Sequence, residues 1–403
     1  MNKKTLSDVD PASLRGTTVV VRADLNVPLD GSSITDDQRI RASLETLRSL
    51  TGAGARVVLL SHLGRPKGEA RPEFSLAPVA RRLDELLDVP VAFVPHTRGA
   101  EVAEAVSHLA NGSIALLENT RYLPGETRND AELSASWASL GTLFVNDAFG
   151  AAHRAHASTA GLADAMVAAG GEAVAGHLMA RELRFLEEAL RLPERPFVAI
   201  IGGAKISSKI DVISALLPRV DHLLIGGAMA NTFFRALDLD TGASLVEEDA
   251  VATARRVLAE GGGRLVLPVD CVVADEIAED AATRAVARTE VGGTDMILDI
   301  GPETRARYVE IVQQAQTIVW NGPMGVFEVG PFAEGTVQVA RAVANACDRG
   351  ALGVLGGGDS AAAADRAGVL DRLTHVSTGG GASLELLAGE ILPGVESLTN
   401  RSS

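Results

Sequence analysis

An α/β fold of two lobes is expected, each lobe a mostly parallel sheet flanked by helices, joined by a long helix and hinge. Three observations predict it. Short β-branched apolar runs alternate with Ala/Leu/Glu/Arg stretches of helical character, which implies βαβ units with right-handed crossovers. The runs are four to six residues long and lack polar alternation, as suits strands buried on both faces of a parallel sheet. The pattern then breaks once, across residues 163–196.

In order, the runs of the first half end near Val21, Leu60, Val94, Leu117 and Val145. Those of the second half end near Ile201, Ile225, Val269, Ile300, Val319, Leu355 and Val376. Between them, GEAVAGHLMARELRFLEEALRLPERP reads as a long amphipathic helix with no strand, closed by Pro193 and Pro196. This places the lobes at 1–175 and 197–389, with the interlobe helix at 176–196. A length of 403 residues fits two or three domains.

Composition narrows the function. Hydrophobic content of 46% and charged content of 22% are those of a globular chain. With 3% aromatics, the core must be built from Val, Ile, Leu and Ala. A net charge of −15 excludes a broadly basic face, so neither nucleic acid nor an anionic membrane is an expected partner. The two cysteines, Cys271 and Cys347, have no metal-type spacing, which points to a reducing compartment. Residues 1–8 are polar and no run reaches about 18 apolar residues, so a cytoplasmic protein is expected. There are five lysines against 32 arginines, and two of the five, Lys205 and Lys209, share one Gly-rich segment. A site that needs a compact ammonium would resist replacement by Arg.

Ligands of open α/β sheets bind beyond the carboxyl ends of the strands. In the first half those ends carry Arg22, Asp24 and Asn26, then Ser61, His62 and Arg65, then Glu118, Asn119 and Arg121. Asn146 and Asp147 follow, leading to His153, Arg154 and His156, and Arg39 lies in the polar segment after the first run. One arginine alone is usually a solvated surface cation. Recurrence after consecutive strands instead suits a small polyanion carrying phosphate and carboxylate, which Arg grips bidentately. His153 and His156 have an i, i+3 spacing but no third metal ligand nearby.

The second half ends its strands in glycine: Gly202-Gly203, Gly226-Gly227, Asn321-Gly322, Gly356-Gly357-Gly358-Asp359-Ser360 and Gly379-Gly380-Gly381. Such loops let backbone N–H groups approach phosphate oxygens at a helix start. Lys205 and Lys209, spaced i, i+4, can share one helix face toward the same phosphate chain. Asp359 is a candidate Mg²⁺ ligand, because magnesium uses one or two carboxylates plus phosphate oxygens. IIGGAKISSK is not a Walker A loop, since Ser207 stands where its second Gly belongs. GGGDSA fits a loose dinucleotide fingerprint, but Val376, Ser377 and Thr378 stand where the acidic ribose ligand belongs. A nucleotide site is the expectation.

Taken in order, RADLNVP, LSHLGRP, LLENTRY, VNDAFGAAHRAHAS, GGAKISSK, NGPMGVFE, GGGDS and STGGGASLE closely resemble the motifs of the phosphoglycerate kinase family. The resemblance runs from about residue 19 to the C-terminal LAGEILPGVESL. It implies two Rossmann-like lobes, with residues 390–403 crossing back to the first. It implies a first lobe for 3-phosphoglycerate or 1,3-bisphosphoglycerate, contacted by Asp24, Asn26, Arg39, His62, Arg65, Arg121 and Arg154. It implies a second lobe for Mg-ATP or Mg-ADP, contacted by Lys205, Lys209, Gly301, Glu328, Gly357, Gly358, Asp359 and Ser360. Arg39, Lys205 and the backbone N–H groups near Gly357 and Gly380 would hold the transferred phosphoryl group. A monomer that closes about a hinge is expected. The chain departs from the family pattern at Leu25, usually Phe, at Thr120, usually Leu, and at ISSK, usually VSDK.

Three other readings stand beside this one. A non-catalytic binding protein for phosphorylated ligands is disfavoured by charged constellations in both halves, and an NAD-dependent dehydrogenase by the missing ribose acid. Intact Arg39 and Lys205 speak against a degenerate scaffold.

Overall fold

The computed structural model describes residues 2–191 and 193–401. The chain forms two compact units, Met1–Arg184 with Ile391–Ser403, and Phe185–Glu390. Residue 192, within the expected interlobe helix, lies outside the described residues, as do residues 1, 402 and 403.

Unit 1 holds a six-stranded sheet of β1 (Thr18–Ala23), β2 (Arg56–Leu60), β3 (Val91–Val94), β4 (Ile114–Leu117), β5 (Leu143–Asp147) and β6 (Glu172–Ala175). All pairings are parallel, in the order β3-β4-β2-β1-β5-β6. The central strands are buried at nearly every position, which is why their sequences do not alternate. One face packs Val19, Val21, Val57 and Leu59 against Ile40, Leu44 and Leu47 of the helix Gln38–Gly52. The C-terminal segment is tied to this unit. Thr399 O accepts from Lys4 N at 2.8 Å, Thr399 N donates to Ala173 O at 2.8 Å, and Asn146 Nδ2 donates to Gly394 O at 2.9 Å.

Strand β6 corrects the sequence reading, which left no strand between residues 163 and 196. The EAVA segment is short, rich in Ala and bracketed by Gly170, Gly171 and Gly176, so its apolar run is too weak to read. It is the last strand of the sheet, paired with β5, and its outer side is met by an isolated bridge from Thr5 to Ala175 and by Thr399. The helix that follows is His177–Arg191.

Unit 2 holds β7 (Phe197–Ile201), β8 (His222–Ile225), β9 (Leu265–Val266), β10 (Asp270–Ala274), β11 (Arg284–Ala287), β12 (Met296–Ile300), β13 (Thr317–Asn321), β14 (Leu352–Gly356) and β15 (His375–Val376). The parallel sheet runs β9-β8-β7-β13-β14-β15. The run ending at Ile300, read as one of the parallel series, belongs instead to an antiparallel sheet, β11-β10-β12. An apolar run encodes burial but not strand direction, so the sequence could not separate the two.

In each parallel sheet the strand order reverses beside the unit's first strand. In unit 1, β1 lies between β2 and β5, and in unit 2, β7 lies between β8 and β13. Chain connections leave in opposite directions at such a point, which opens a crevice at the carboxyl ends. Arg22 pairs in register with Asn146 across β1 and β5, and Ile201 with Asn321 across β7 and β13.

Candidate functional site

The unit 1 crevice is built from the loops after β1, β2, β4 and β5. Arg39, at the start of helix Gln38–Gly52, pairs with Asp24 at 3.3 Å and donates from Nη1 to Asn26 O at 3.1 Å. Asn26 Oδ1 accepts from Gly64 N at 2.8 Å, while Gly64 O accepts from Arg121 Nη1 at 2.8 Å. One residue of the LSHLGRP loop, Gly64, therefore couples the first and third motifs. Arg65, Arg121 and Arg154 line one cavity of about 370 Å³ together with Lys67 and Arg128. No acidic side chain is in that lining. Such a basin attracts a multiply charged anion.

The titrations follow from this crowding of cations. Burial, then Arg22, Arg121, Arg39 and His156, hold the His62 imidazole well below the ordinary histidine range. Burial with Arg121, Arg22 and Arg154 pushes His156 down to about 4. Its Nδ1 lies 3.9 Å from Glu126 Oε1, but a neutral ring makes this a polar contact and not an ion pair. Arg121 is pushed down to about 10, first by burial and then by Arg22 and Arg154. It stays charged near neutrality. His153 Nε2 is taken up by Arg154 Nε at 3.0 Å, and no cluster of three or more potential metal ligands occurs among the described residues.

The unit 2 crevice gathers the Gly-rich loops. Lys205, Lys209, Gly357, Gly358, Asp359, Ser360 and Gly380 line one cavity of about 410 Å³ with Asn321 and Gly322. Lys205 and Lys209 do not share a helix face as their spacing suggested. They sit in the turn before helix Ile210–Leu216, where Lys209 N donates to Ile206 O at 2.9 Å, and Glu247 Oε1 accepts from Ser207 Oγ at 2.6 Å. Gly-Gly ahead of the turn and the pull of Glu247 delay the helix, yet both ammonium groups reach the same cavity. Lys209 Nζ donates to Asn321 Oδ1, and burial lowers its titration while Asp359 opposes that. Asn321 Nδ2 donates to Gly356 O at 2.6 Å, and Ser360 Oγ accepts from Gly322 N at 2.6 Å. Gly357, with φ +94°, begins the helix Gly358–Arg366 in a conformation an L side chain rarely adopts. The loop therefore turns with its backbone open to the cavity.

A second cavity in unit 2, of about 330 Å³, is walled by Ala204, Ala230, Phe234, Leu245, Ile277, Met296 and Met324, with exposed Glu328 and Asp359 at it. It suits a flat apolar group whose polar extension reaches the glycine loops. Gly301 is not in that lining. Its Cβ would overlap the Asp270 carboxylate, which accepts from Glu303 N at 2.9 Å and Thr304 N at 2.8 Å and so caps the helix Pro302–Gln314. Asp359 is a single exposed carboxylate at a helix start, facing both cavities. That donor set fits a magnesium ion that arrives on phosphate oxygens, not one caged by protein.

Sequence reasoning assigned no role to Glu126 and Ser158, both fully buried under the unit 1 crevice. PGETRND reads as an exposed turn, and nothing in its spacing marks a buried acid. Asn321 was visible as a strand-end residue, but its bonds to Lys209 and Gly356 depend on the β13–β14 register.

The family model described as phosphoglycerate kinase matches residues 7–390. The phosphoglycerate kinase of Chlorobium luteolum is 51% identical over 402 residues, covering 99% of this chain and 100% of the relative. That of Rubrobacter xylanophilus is 53% identical over 401 residues, covering 100% and 99%. The solved phosphoglycerate kinase of Coxiella burnetii superimposes with a TM-score of 0.88 at 41% identity over the whole of both chains. The Pyrococcus horikoshii structure gives 0.84 at 34% identity over 98% of each.

Proposed function

The chain belongs to the phosphoglycerate kinase family, and we propose on that footing how its two crevices divide the family's reaction. The reaction is reversible phosphoryl transfer between ATP and the carboxylate of 3-phosphoglycerate, giving 1,3-bisphosphoglycerate and ADP. The observation that carries the assignment of unit 1 is its cavity of five cations, Arg65, Lys67, Arg121, Arg128 and Arg154. An acid-free lining of that kind suits the phosphate of the phosphoglycerate. Asp24 and Asn26 hold Arg39 in place for the transferred group.

The acceptor carboxylate has an ordinary pKa near ~4 and is ionised at pH 7, so no general base is required. Catalysis then rests on alignment and on neutralising charge at the equatorial oxygens. In unit 2 the apolar cavity takes the base, with Glu328 at its rim, and the phosphates lie along Gly357, Gly358 and Ser360. Lys205 and Lys209 face the phosphates, with Lys209 oriented by Asn321. Arg39, Lys205 and the N–H groups near Gly357 and Gly380 meet the phosphoryl in flight. Asp359 would hold Mg²⁺, which when bound neutralises phosphate charge. Because each half-site lies on its own unit, transfer requires the units to close on their substrates, which also limits ATP hydrolysis. Scattering curves of free protein and ternary complex that superimpose would count against closure.

A coupled assay for ATP- and 3-phosphoglycerate-dependent acyl-phosphate formation tests the whole reading. Activity that requires both substrates and is abolished by EDTA is the expected result. Turnover without 3-phosphoglycerate would overturn it.

A further inference from the structure

Beneath the unit 1 crevice runs a chain of buried polar groups that the mechanism does not yet use. Glu126, Ser158 and Arg22 are each fully buried. Glu126 lies in the turn Glu126–Arg128, Ser158 in the segment Ala157–Gly161, and Arg22 on β1. Glu126 Oε2 accepts from Ser158 N at 2.9 Å, and Oε1 from Ser158 Oγ at 2.6 Å and Thr120 Oγ1 at 3.2 Å. Ser158 Oγ accepts from Arg22 Nε at 2.8 Å, and Arg22 Nη2 faces His62 Nδ1 at 2.8 Å. Arg22 Nη1 donates to Ala23 O.

The direction of each bond is forced. A guanidinium has five N–H groups and no acceptor. Arg22 Nε therefore uses a lone pair of the Ser158 hydroxyl, whose single hydrogen is left for Glu126. At the other end His62 Nδ1 must present its lone pair, which places the ring proton on Nε2. That nitrogen makes no protein hydrogen bond among the described residues, and the residue is 5% exposed. A second proton on the ring would set N–H against N–H at Nδ1. The charged and titratable groups around it, Arg22, Arg121, Arg39 and His156, oppose a second proton as well.

We propose that Glu126 and Ser158 are positioning residues for the phosphoglycerate site: acting through Arg22, they fix the His62 tautomer so that Nε2–H is offered to an anionic oxygen of the substrate. The proposal rests on the reading that His62 contacts phosphoglycerate. Its physical content is selectivity. An Nε2–H donates to phosphate or carboxylate, whereas the opposite tautomer would turn a lone pair toward the anion. Glu126 makes this arrangement affordable for the fold, because a buried guanidinium without a counter-charge is strongly destabilising. Thr120, where the family pattern usually has Leu, adds a third donor to the same carboxylate.

The test uses the full chain labelled with ¹⁵N. Long-range ¹H–¹⁵N correlations, with His62 assigned by its loss in His62→Ala, report the tautomer directly. An unprotonated Nδ1 and protonated Nε2 from pH 5.5 to 8 are expected. A doubly protonated ring or a proton on Nδ1 at pH 7 overturns the proposal without any variant. In Ser158→Ala and Glu126→Gln, checked for folding by circular dichroism, the His62 tautomers should mix. KM for 3-phosphoglycerate should rise about tenfold, the scale of one hydrogen bond to a charged group, with KM for ATP unchanged. Ser158→Thr, which keeps the hydroxyl, should restore both. Folded variants with wild-type His62 signals and wild-type KM overturn the proposal. If 3-phosphoglycerate moves no unit 1 signal in the wild-type protein, the site reading itself fails, and the proposal with it.

Discussion

Asp147 gives the sharpest stability prediction. It ends β5, is 1% exposed, and accepts from Met179 N at 3.1 Å through Oδ1. Thr46 Oγ1 accepts from His177 N at 2.9 Å. The two side chains thus take N–H groups of the first turn of helix His177–Arg191, which an α-helix leaves unpaired. Gly176 is required beside them, since a Cβ there would overlap the carboxylate. Within this helix the chain passes from unit 1 to unit 2. Burial pushes Asp147 up to about 6 from an ordinary 3.8, and the Met179 N–H bond only partly offsets it.

The perturbation is Asp147→Asn, which keeps an acceptor for Met179 N and removes the ionisation. Between pH 3.8 and about 6 the folded protein holds a proton that the unfolded chain has lost. The contribution is therefore fully present below pH 3.8 and is lost as pH rises through about 6. At about 1.4 kcal/mol per tenfold, the loss is roughly 3 kcal/mol by pH 7.5. The Asn variant has no such loss, so its stability relative to wild type should improve by about 2.4 kcal/mol between pH 4 and pH 7.5. Each unit has one tryptophan, Trp137 or Trp320. Urea unfolding followed by Trp137 in a Trp320→Phe background reads unit 1 alone. A difference between Asn and wild type that stays flat across this range, within about 0.5 kcal/mol, would refute the reasoning.

Three further outcomes are expected. Arg39→Ala and Lys205→Ala should each lower kcat by about 3 kcal/mol of transition-state stabilisation or more, the scale of one preorganised electrostatic group; near-wild-type turnover in steady-state assays would sink these roles. Arg65→Ala should mainly raise KM for 3-phosphoglycerate, and a kcat loss at unchanged KM would contradict its place in the ground-state anion cavity. Gly202→Ala should destabilise unit 2 by about 3 kcal/mol, because its Cβ overlaps Pro323 O. Gly263→Ala, with no positive φ and nothing within 4 Å of the new carbon, should change stability by less than about 0.5 kcal/mol. Denaturation followed by Trp320 fluorescence checks that order, and equal losses would count against it.

The residues legible in the sequence share one property, which is that they end a strand or follow one. A parallel sheet sends all its carboxyl ends to one edge. Any polar residue just after an apolar run is thus delivered to a common crevice, and no long-range information is needed to say so. Arg22, Asp24, His62, Arg121 and Asn146 are placed this way, and so are Lys205, Asn321 and the glycines at 356–358. The illegible features are those that depend on a partner elsewhere in the chain. β6 is a strand because β5 offers it an edge, not because EAVA is strongly apolar. Met296–Ile300 takes its direction from β10. Lys209 leaves the expected helix face because the turn before it is held by Glu247.

Glu126 is the extreme case. Its local sequence is that of a solvated turn, yet it is buried to the last atom because Arg22, Ser158 and Thr120 converge on it. Cations gathered to bind an anion repel one another when the crevice is empty, and burial makes that repulsion stronger. A chain with net charge −15 could relieve this with surface acids only weakly, since solvent and salt screen them. One acid placed under the cluster, out of the substrate's reach, relieves it without competing for the arginines that must grip the ligand. The substrate's charge can therefore be read from residues after strands, whereas the device that keeps the empty site folded is visible only once the strands are assembled.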